Sequence, residues 1–136
     1  MHRKLVMSAA VAMIAVPALA GGINPTLRKE PHINESLLAV AVGDQIRRNC
    51  STISPRLMTV YHKAKALEAY AISKGFTSEE IKTYVNDRAE KDRFKAQARQ
   101  YLMASGVKPG NEATYCKLGR EEIANGSLTG RMLKTH

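Results

Sequence analysis

The amino-acid sequence predicts an all-α fold: a small bundle of about four helices with one disulfide, preceded by a cleaved signal peptide. Three observations predict it. Apolar residues recur at helical spacing between recognisable helix starts and stops. The chain contains two cysteines, Cys50 and Cys116, and its first twenty residues have the composition of an export signal. The sequence shows no alternation typical of strands and no internal repeat.

Residues 1–20 consist of a basic start, MHRK, an apolar run, LVMSAAVAMIAVP, and the small residues ALA. This order is typical of a secretory signal peptide, here cut after Ala20. A membrane anchor is the alternative, but the apolar run is shorter than the roughly 20 residues that a spanning helix needs. We therefore expect a periplasmic or secreted protein of one domain, in which the 136 residues are reduced to 116.

The two cysteines are expected to pair because the predicted compartment is oxidising. A Cys50–Cys116 disulfide would close a loop of about 66 residues and stabilise the fold by about 4 kcal/mol. Two free buried thiols or a redox pair are the alternatives. Since neither cysteine belongs to a CxxC motif, the sequence disfavours a dithiol oxidoreductase.

Residues 21–33 combine prolines, glycines and a charge cluster without periodicity, which predicts an extended N-terminal lead. A single helical domain should then occupy residues 34–136. Asn34 is a good N-cap for a first helix that runs to about residue 49. Gly43 interrupts this helix, and such a glycine usually marks the close approach of another backbone.

Ser54 and Pro55 predict the start of a second helix over residues 55–74, with Ser54 as the cap and Pro55 in the first position. Ile53 could then contact Met58 as a hydrophobic staple. Gly75 should end the helix, and the tight link after it should make the second and third helices antiparallel. The residues expected to face inward are Leu57, Val60, Tyr61, Ala64, Leu67, Ala71 and Ile72.

Residues 77–105 predict one long third helix, on which the rest of the chain is expected to pack. Thr77 and Glu80 form a capping box at its start. No proline or glycine follows until Gly106, so propensity favours one element of about 27 residues and about 40 Å. Its apolar residues change face between Ala89 and Phe94, so the helix either bends near residue 90 or carries a second apolar face.

A fourth helix is predicted over residues 112–124, with Asn111 as its cap and Cys116 within it. The disulfide would then join this helix to the end of the first. Asn125 and Gly126 should end the helix, and residues 127–133 could add a short final turn.

The residues that could carry chemistry are scattered along the chain. His32, His62 and His136 show no HxxxH or HxxE spacing, so no metal site is expected. The sequence contains no nucleophile elbow and no glycine-rich phosphate loop, so we expect neither a cofactor nor an enzyme. The neighbouring carboxylates at residues 79–80 and 121–122 are better explained as solvated helix faces.

Without Arg3 and Lys4, 19 basic residues face 12 acidic ones, which gives a net charge of +7. The charges are dispersed, and pairs such as Asp87 with Lys91 are expected on the long helix. An exported protein rarely meets nucleic acid. An acidic protein partner in the cell envelope or an anionic membrane surface is therefore the expected target.

The long helix also carries the candidate binding residues. Phe94 and Tyr101 could pack on the first or last helix. Alternatively, they could stay exposed beside Arg93 and Gln97, since exposed aromatic residues with arginine are typical of binding hot spots. The sequence leaves both accounts open.

The mature chain resembles domain of unknown function 5333 (DUF5333), a family of small exported alphaproteobacterial proteins. The resemblance rests on four strings, PHINESLL (31–38), GDQIRRNCSTIS (43–54), KALEAYA (65–71) and YCKLGREEIANGSLTG (115–130). Some relatives are labelled as an NADH dehydrogenase subunit. Nothing in the sequence could bind flavin, an iron–sulfur cluster or nicotinamide, so the resemblance implies at most an accessory protein.

These observations favour a non-enzymatic periplasmic helical module that binds a protein partner, with an envelope or respiratory (NADH dehydrogenase-type) complex as the partner class. A small periplasmic stress chaperone is the alternative, and exposure of apolar surface on acidification would favour it. A lysozyme-like hydrolase would need a cleft with a carboxylate of raised pKa, which the sequence does not indicate.

Overall fold

The computed structural model describes residues 22–136, so the predicted signal peptide lies outside the described residues. The helices are α1 Pro31–Asn49, α2 Leu57–Ser73, α3 Ser78–Asn86, α4 Arg88–Ala104, α5 Glu112–Asn125 and α6 Leu128–Arg131. A 3₁₀ turn, Pro25–Lys29, precedes α1, and the strands β1 Ile53–Pro55 and β2 Leu133–Thr135 form an antiparallel ribbon. The predicted all-α class is confirmed. Within the described part of the chain, no helix combines the length and the apolar character needed to cross a membrane.

The centre of the fold is α1, not the long helix predicted for residues 77–105. It contacts α2, α4, α5, α6 and the 3₁₀ turn. Its C-terminal half contributes to a core cluster that includes Ile46, Leu102 and the disulfide. Its N-terminal half contributes to a second cluster, around Tyr84 and Phe94. The elements that follow α1 in the sequence therefore pack around it.

The N-terminal lead is not extended as predicted. Leu27 lies in the 3₁₀ turn and is completely buried. The helix α1 begins at Pro31, because proline at a first helical position already has a suitable φ and needs no amide partner. Asn34 is consequently not the cap. Its side-chain amide donates to the carbonyl oxygens of Leu27 and Glu30, at 2.7 Å each, and so fixes the turn to the helix.

The predicted start of the second helix is wrong. Ile53–Pro55 form β1, in which Ile53 pairs with Thr135 and Pro55 with Leu133. Proline is tolerated there because the ribbon has only two strands and an edge strand need not donate at every position. The expected staple is absent, since Ile53 is buried while Met58 is 67% exposed.

The inward face predicted for α2 is also wrong in part. Of the seven residues assigned to it, Ala71 alone is fully buried, while Leu57, Tyr61 and Ile72 are all more than half exposed. Only the C-terminal end of α2 enters the core cluster around Tyr84. Gly75, with φ +94°, ends this region in the left-handed conformation that was predicted.

The long third helix is divided at Asp87, whose backbone (φ −63°, ψ 131°) is extended. Its side chain accepts a hydrogen bond from the Glu90 amide at 2.9 Å, which caps α4. The prediction of a single long helix is therefore wrong. The apolar residues change from one face to another because the helix breaks at Asp87, three residues before the predicted bend. The break allows Tyr84 of α3 and Phe94 of α4 to pack together, with ring centroids 6.4 Å apart. The Thr77–Glu80 capping box is confirmed.

The C-terminal region agrees with the sequence as far as α5 and the short α6. Cys50 at the end of α1 is bonded to Cys116 in α5, with the two Cα atoms 5.2 Å apart, and the predicted disulfide is confirmed. The expectation of no strands is wrong because the last residues return to pair with β1. This ribbon and the disulfide both hold the segment after α1 against the C-terminal elements.

Candidate functional site

The four predicted binding residues lie on α4 but do not form one exposed surface. Phe94 is only 7% exposed and packs edge-on against Tyr84. Tyr101 is 40% exposed, and its hydroxyl donates to the Glu122 carboxylate of α5, which raises the pKa of the tyrosine. The account with an exposed Phe94 is therefore wrong, and Phe94 packs inward as in the first account. Gln97 is partly exposed, and its role stays a prediction.

Arg93 takes part in an internal network rather than facing solvent as a free anchor. Its guanidinium carbon lies 4.4 Å from the centroid of the Phe94 ring. It donates to the Tyr84 hydroxyl at 2.8 Å and to the Glu90 carboxylate at 2.9 Å. The Tyr84 hydroxyl in turn donates to the Asn34 side chain. These contacts hold α1, α3 and α4 together.

Glu90 is the most buried acidic residue of the described chain, with 1% of its surface exposed. It accepts hydrogen bonds from Arg93 and, at 2.6 Å, from Arg28 of the 3₁₀ turn. Burial raises the pKa of Glu90, but the two arginines outweigh this effect and hold the pKa below its ordinary value. No local sequence pattern indicates the Arg28 contact, which spans 62 positions.

Beside this network, α1 and α4 border a groove of about 550 Å³, which we call the α1–α4 groove. Its apolar floor is formed by residues of α1, α3 and α4: Leu37, Val40, Ala41, Val85 and Phe94. Val40 remains 45% exposed although it lies on the central helix. At one side the two helices are bridged by the Gln45 side chain, which donates to the Lys95 carbonyl oxygen at 3.2 Å.

A row of three cations, Lys91, Lys95 and Arg99, follows this groove along α4. Their spacing of four residues places them on one side of the helix, about 6 Å apart along its axis. In the described residues, no carboxylate lies within 4.0 Å of any of the three. The predicted Asp87–Lys91 pair is wrong because Asp87 caps α4 instead. None of the three cations of this row therefore forms a direct ion pair within residues 22–136.

The acidic residues of the groove already have cationic partners. Asp44 pairs with Arg47 and Arg48 on α1, and its contact with the Arg48 Nε is 2.7 Å. Glu90 pairs with Arg28 and Arg93. The groove therefore presents an apolar floor beside a row of positive charge, a combination that complements an apolar ligand with acidic groups.

A second groove, of about 440 Å³, is bordered by α1, α2, α3 and α6. It shares Leu37, Val40 and Val85 with the first groove. Lys63 and Lys82 line it, and no described carboxylate lies within 4.0 Å of either. Glu68 also lines this second groove, so its charge is mixed, unlike the row along α4.

Residues 25–134 match the model of the Family of unknown function (DUF5333). The chain belongs to this family. The DUF5333 match includes both cysteines, all six described helices and the residues of the α1–α4 groove. Searches of curated proteins and of solved structures found no match.

Two further clusters of reactive side chains occur in the DUF5333 domain. Ser54 Oγ lies 2.7 Å from the His136 Nδ1 on the exposed ribbon, but no carboxylate side chain of the described residues hydrogen-bonds to that histidine. Glu112 lies beside the two cysteine sulfurs, which are already bonded to each other. Hydrogen bonds from Ser51 lower the pKa of Glu112 and fix it against the loop after α1. Both clusters connect distant parts of the chain.

Proposed function

We propose that this protein is a non-enzymatic periplasmic helical module that binds an acidic, partly apolar segment of a protein partner in the α1–α4 groove. The observation that carries the proposal is the row of Lys91, Lys95 and Arg99 beside an apolar floor, with no carboxylate of the described residues within 4.0 Å of it. An amphipathic helix with acidic residues along one edge would satisfy both parts of this surface. The apolar floor would supply most of the affinity, and the cations would set orientation and speed association.

The compartment in the proposal is the periplasm, to which the signal-like residues 1–20 would direct the chain. A disulfide persists in that compartment, whereas cytosolic thiols are kept reduced. The partner that we propose belongs to the cell envelope, and the resemblance described above suggests an accessory role at a respiratory complex of NADH dehydrogenase type.

The test reverses two charges of the groove and compares them with a charge elsewhere. Lys91→Glu combined with Lys95→Glu changes the row, while Lys108→Glu changes an exposed lysine outside both grooves. The probe is a fluorescent amphipathic helical peptide with leucines on one face and glutamates along its edge. A peptide of the same composition in scrambled order is the control. Binding is measured by anisotropy at several salt concentrations.

We expect the double variant to bind the peptide about tenfold or more weakly, since reversing each exposed charge changes the interaction by about 1 kcal/mol. The Lys108→Glu variant should bind like the wild type, and the scrambled peptide should bind weakly to all three proteins. Capture from an envelope extract should then recover the same partner with the wild type and with Lys108→Glu, but not with the double variant. Equal binding or equal recovery by the double variant would refute the proposal.

A further inference from the structure

The start of α2 carries three exposed large apolar side chains, of which Leu57 and Met58 are the two most exposed in the described chain. Leu57, Met58 and Tyr61 are 72%, 67% and 54% exposed, respectively. They occupy adjacent positions at one end of a helix, and none of them lines either groove. A soluble surface rarely places such side chains together unless they contact another molecule.

The chain segments around these three residues are rich in basic side chains, and the acidic residue nearest to them in the sequence is Glu68, whose carboxylate lies 3.9 Å from the Lys65 Nζ. Residues 51–67 contain Arg56, Lys63 and Lys65 but no aspartate or glutamate, and residues 123–136 contain Arg131 and Lys134 and likewise none. The two segments lie side by side because Ser54 pairs with Lys134 in the ribbon.

The positive groups are close to the apolar ones. The Lys65 Nζ lies 5.9 Å from the centroid of the Tyr61 ring. Arg56 directly precedes Leu57, and its Nε donates to the Leu133 carbonyl oxygen at 3.0 Å, which holds the start of α2 against the ribbon. The side chains are therefore presented by a fixed support, so little ordering would be required on binding.

We infer that this surface docks on the headgroup region of an anionic phospholipid bilayer, with Leu57, Met58 and Tyr61 inserted among the lipids and Arg56, Lys65 and Lys134 against the phosphates. Apolar side chains that protrude from a surface with a positive border are typical of helices that lie at a bilayer interface. Tyrosine is favoured at that depth because its ring is apolar and its hydroxyl is polar. Basic residues near an anionic surface add attraction that salt weakens.

This inference goes beyond the proposed function and depends on a different surface, since the α1–α4 groove and the start of α2 share no residue. A protein bound to the bilayer through α2 would keep the groove free for a partner. The two ideas can therefore fail independently.

The experiment measures flotation of the protein, purified from the periplasm, with vesicles of phosphatidylcholine alone or of phosphatidylcholine with phosphatidylglycerol. The apolar variant combines Leu57→Ser with Met58→Ser. Its matched control is Met103→Ser, which removes a side chain of similar exposure, 62%, at the end of α4. The charge variant combines Lys65→Gln with Lys134→Gln, and Lys108→Gln is its control.

We expect the wild type to bind vesicles that contain phosphatidylglycerol and to be released by salt. The apolar variant should bind about tenfold more weakly, because it loses most of the inserted apolar surface. Each lysine removed should weaken binding about fivefold. The controls and the groove variant Lys91→Glu/Lys95→Glu should float with the vesicles as the wild type does.

Three results would overturn the inference. The first is equal binding of the wild type to both kinds of vesicle or to neither. The second is equal weakening by the apolar variant and by Met103→Ser. The third is a dimer, detected by sedimentation, that dissociates in the apolar variant, since the surface would then join two copies of the chain. All six positions substituted in the apolar and charge variants and their controls are exposed, so these variants should melt within a few degrees of the wild type.

Discussion

Among the glycines that lie in helices, Gly130 is the one at which replacement by alanine should destabilise the protein most. Gly130 lies in α6, where a Cβ atom would be 1.9 Å from the Glu122 carbonyl oxygen and 2.7 Å from the Ile123 amide nitrogen. Both atoms belong to the backbone of α5, so no side-chain rotation can relieve the contact. The last turn of α5 and the whole of α6 would have to separate.

The cost can be worked out from two contributions. Overpacking against a rigid neighbour costs about 3 kcal/mol at the upper end of the usual range. Separation also stretches the cap of α6, in which Ser127 Oγ accepts from the Gly130 amide at 2.9 Å and contributes about 1 kcal/mol. The free energy of unfolding should fall by about 3 to 4 kcal/mol, which lowers the Tm by roughly 12 to 16 °C in a domain of this size.

The matched control is Gly43→Ala in α1. A Cβ there would lie 3.5 Å from Thr129 Cγ2 and 3.9 Å from Leu133 Cδ2, which are ordinary contacts. The expected close approach of a backbone at Gly43 is therefore wrong. Alanine should raise stability by up to about 1 kcal/mol through helix propensity. Thermal unfolding followed by far-UV circular dichroism measures both variants. A wild-type Tm for Gly130→Ala would refute the close packing of α5 on α6.

Three other perturbations have definite expected outcomes. Replacing Cys50 and Cys116 together by serine should lower the free energy of unfolding by about 4 kcal/mol, because the disulfide joins residues 66 positions apart and so closes a long loop. Denaturant titration with and without reductant measures this change. Glu90 has a folded-state pKa below its ordinary value of 4.5, so its stabilising effect is present above that pH and is lost as the pH falls through the folded pKa. Glu90→Gln should therefore cost about 1.5 to 3 kcal/mol at neutral pH and flatten the acid limb of the stability curve, whereas the exposed Glu121→Gln should leave that limb unchanged. Phe94→Ala should cost about 3 to 5 kcal/mol in the same titration, and an unchanged midpoint would contradict its burial.

Local signals predicted the features that local chemistry decides. Two such features are present, the Thr77–Glu80 capping box and the left-handed Gly75. In each of them, the interacting residues are at most three positions apart in the sequence. The break at Asp87 had a local signal as well, since Asp87 followed by Glu90 is a cap pattern. High helix propensity on both sides concealed it.

Contacts between distant residues could not be predicted in this way. The β1 strand forms because Ile53 pairs with Thr135. No sequence pattern near Ile53 indicates that its partner lies at the opposite end of the chain. The candidate groove depends on Lys91 having no carboxylate near it, which follows only from the capping role of Asp87. The exposed residues of α2 look like a core face in sequence, because a membrane-facing or partner-facing stripe has the same period as a buried one.

The way the C-terminal elements cover α1 also determines when the chain can fold. The C-terminal half of α1 is covered by α4 and, from the last quarter of the sequence, by α5 and α6. In a chain that emerges from a ribosome or a translocation pore starting with α1, Ile46 and Cys50 would stay partly uncovered until α5 and α6 had arrived. Contacts of such long range form slowly. The packing around α1 is therefore completed late in synthesis. Until β2 can pair with β1, the chain stays incompletely folded and can still pass through a pore.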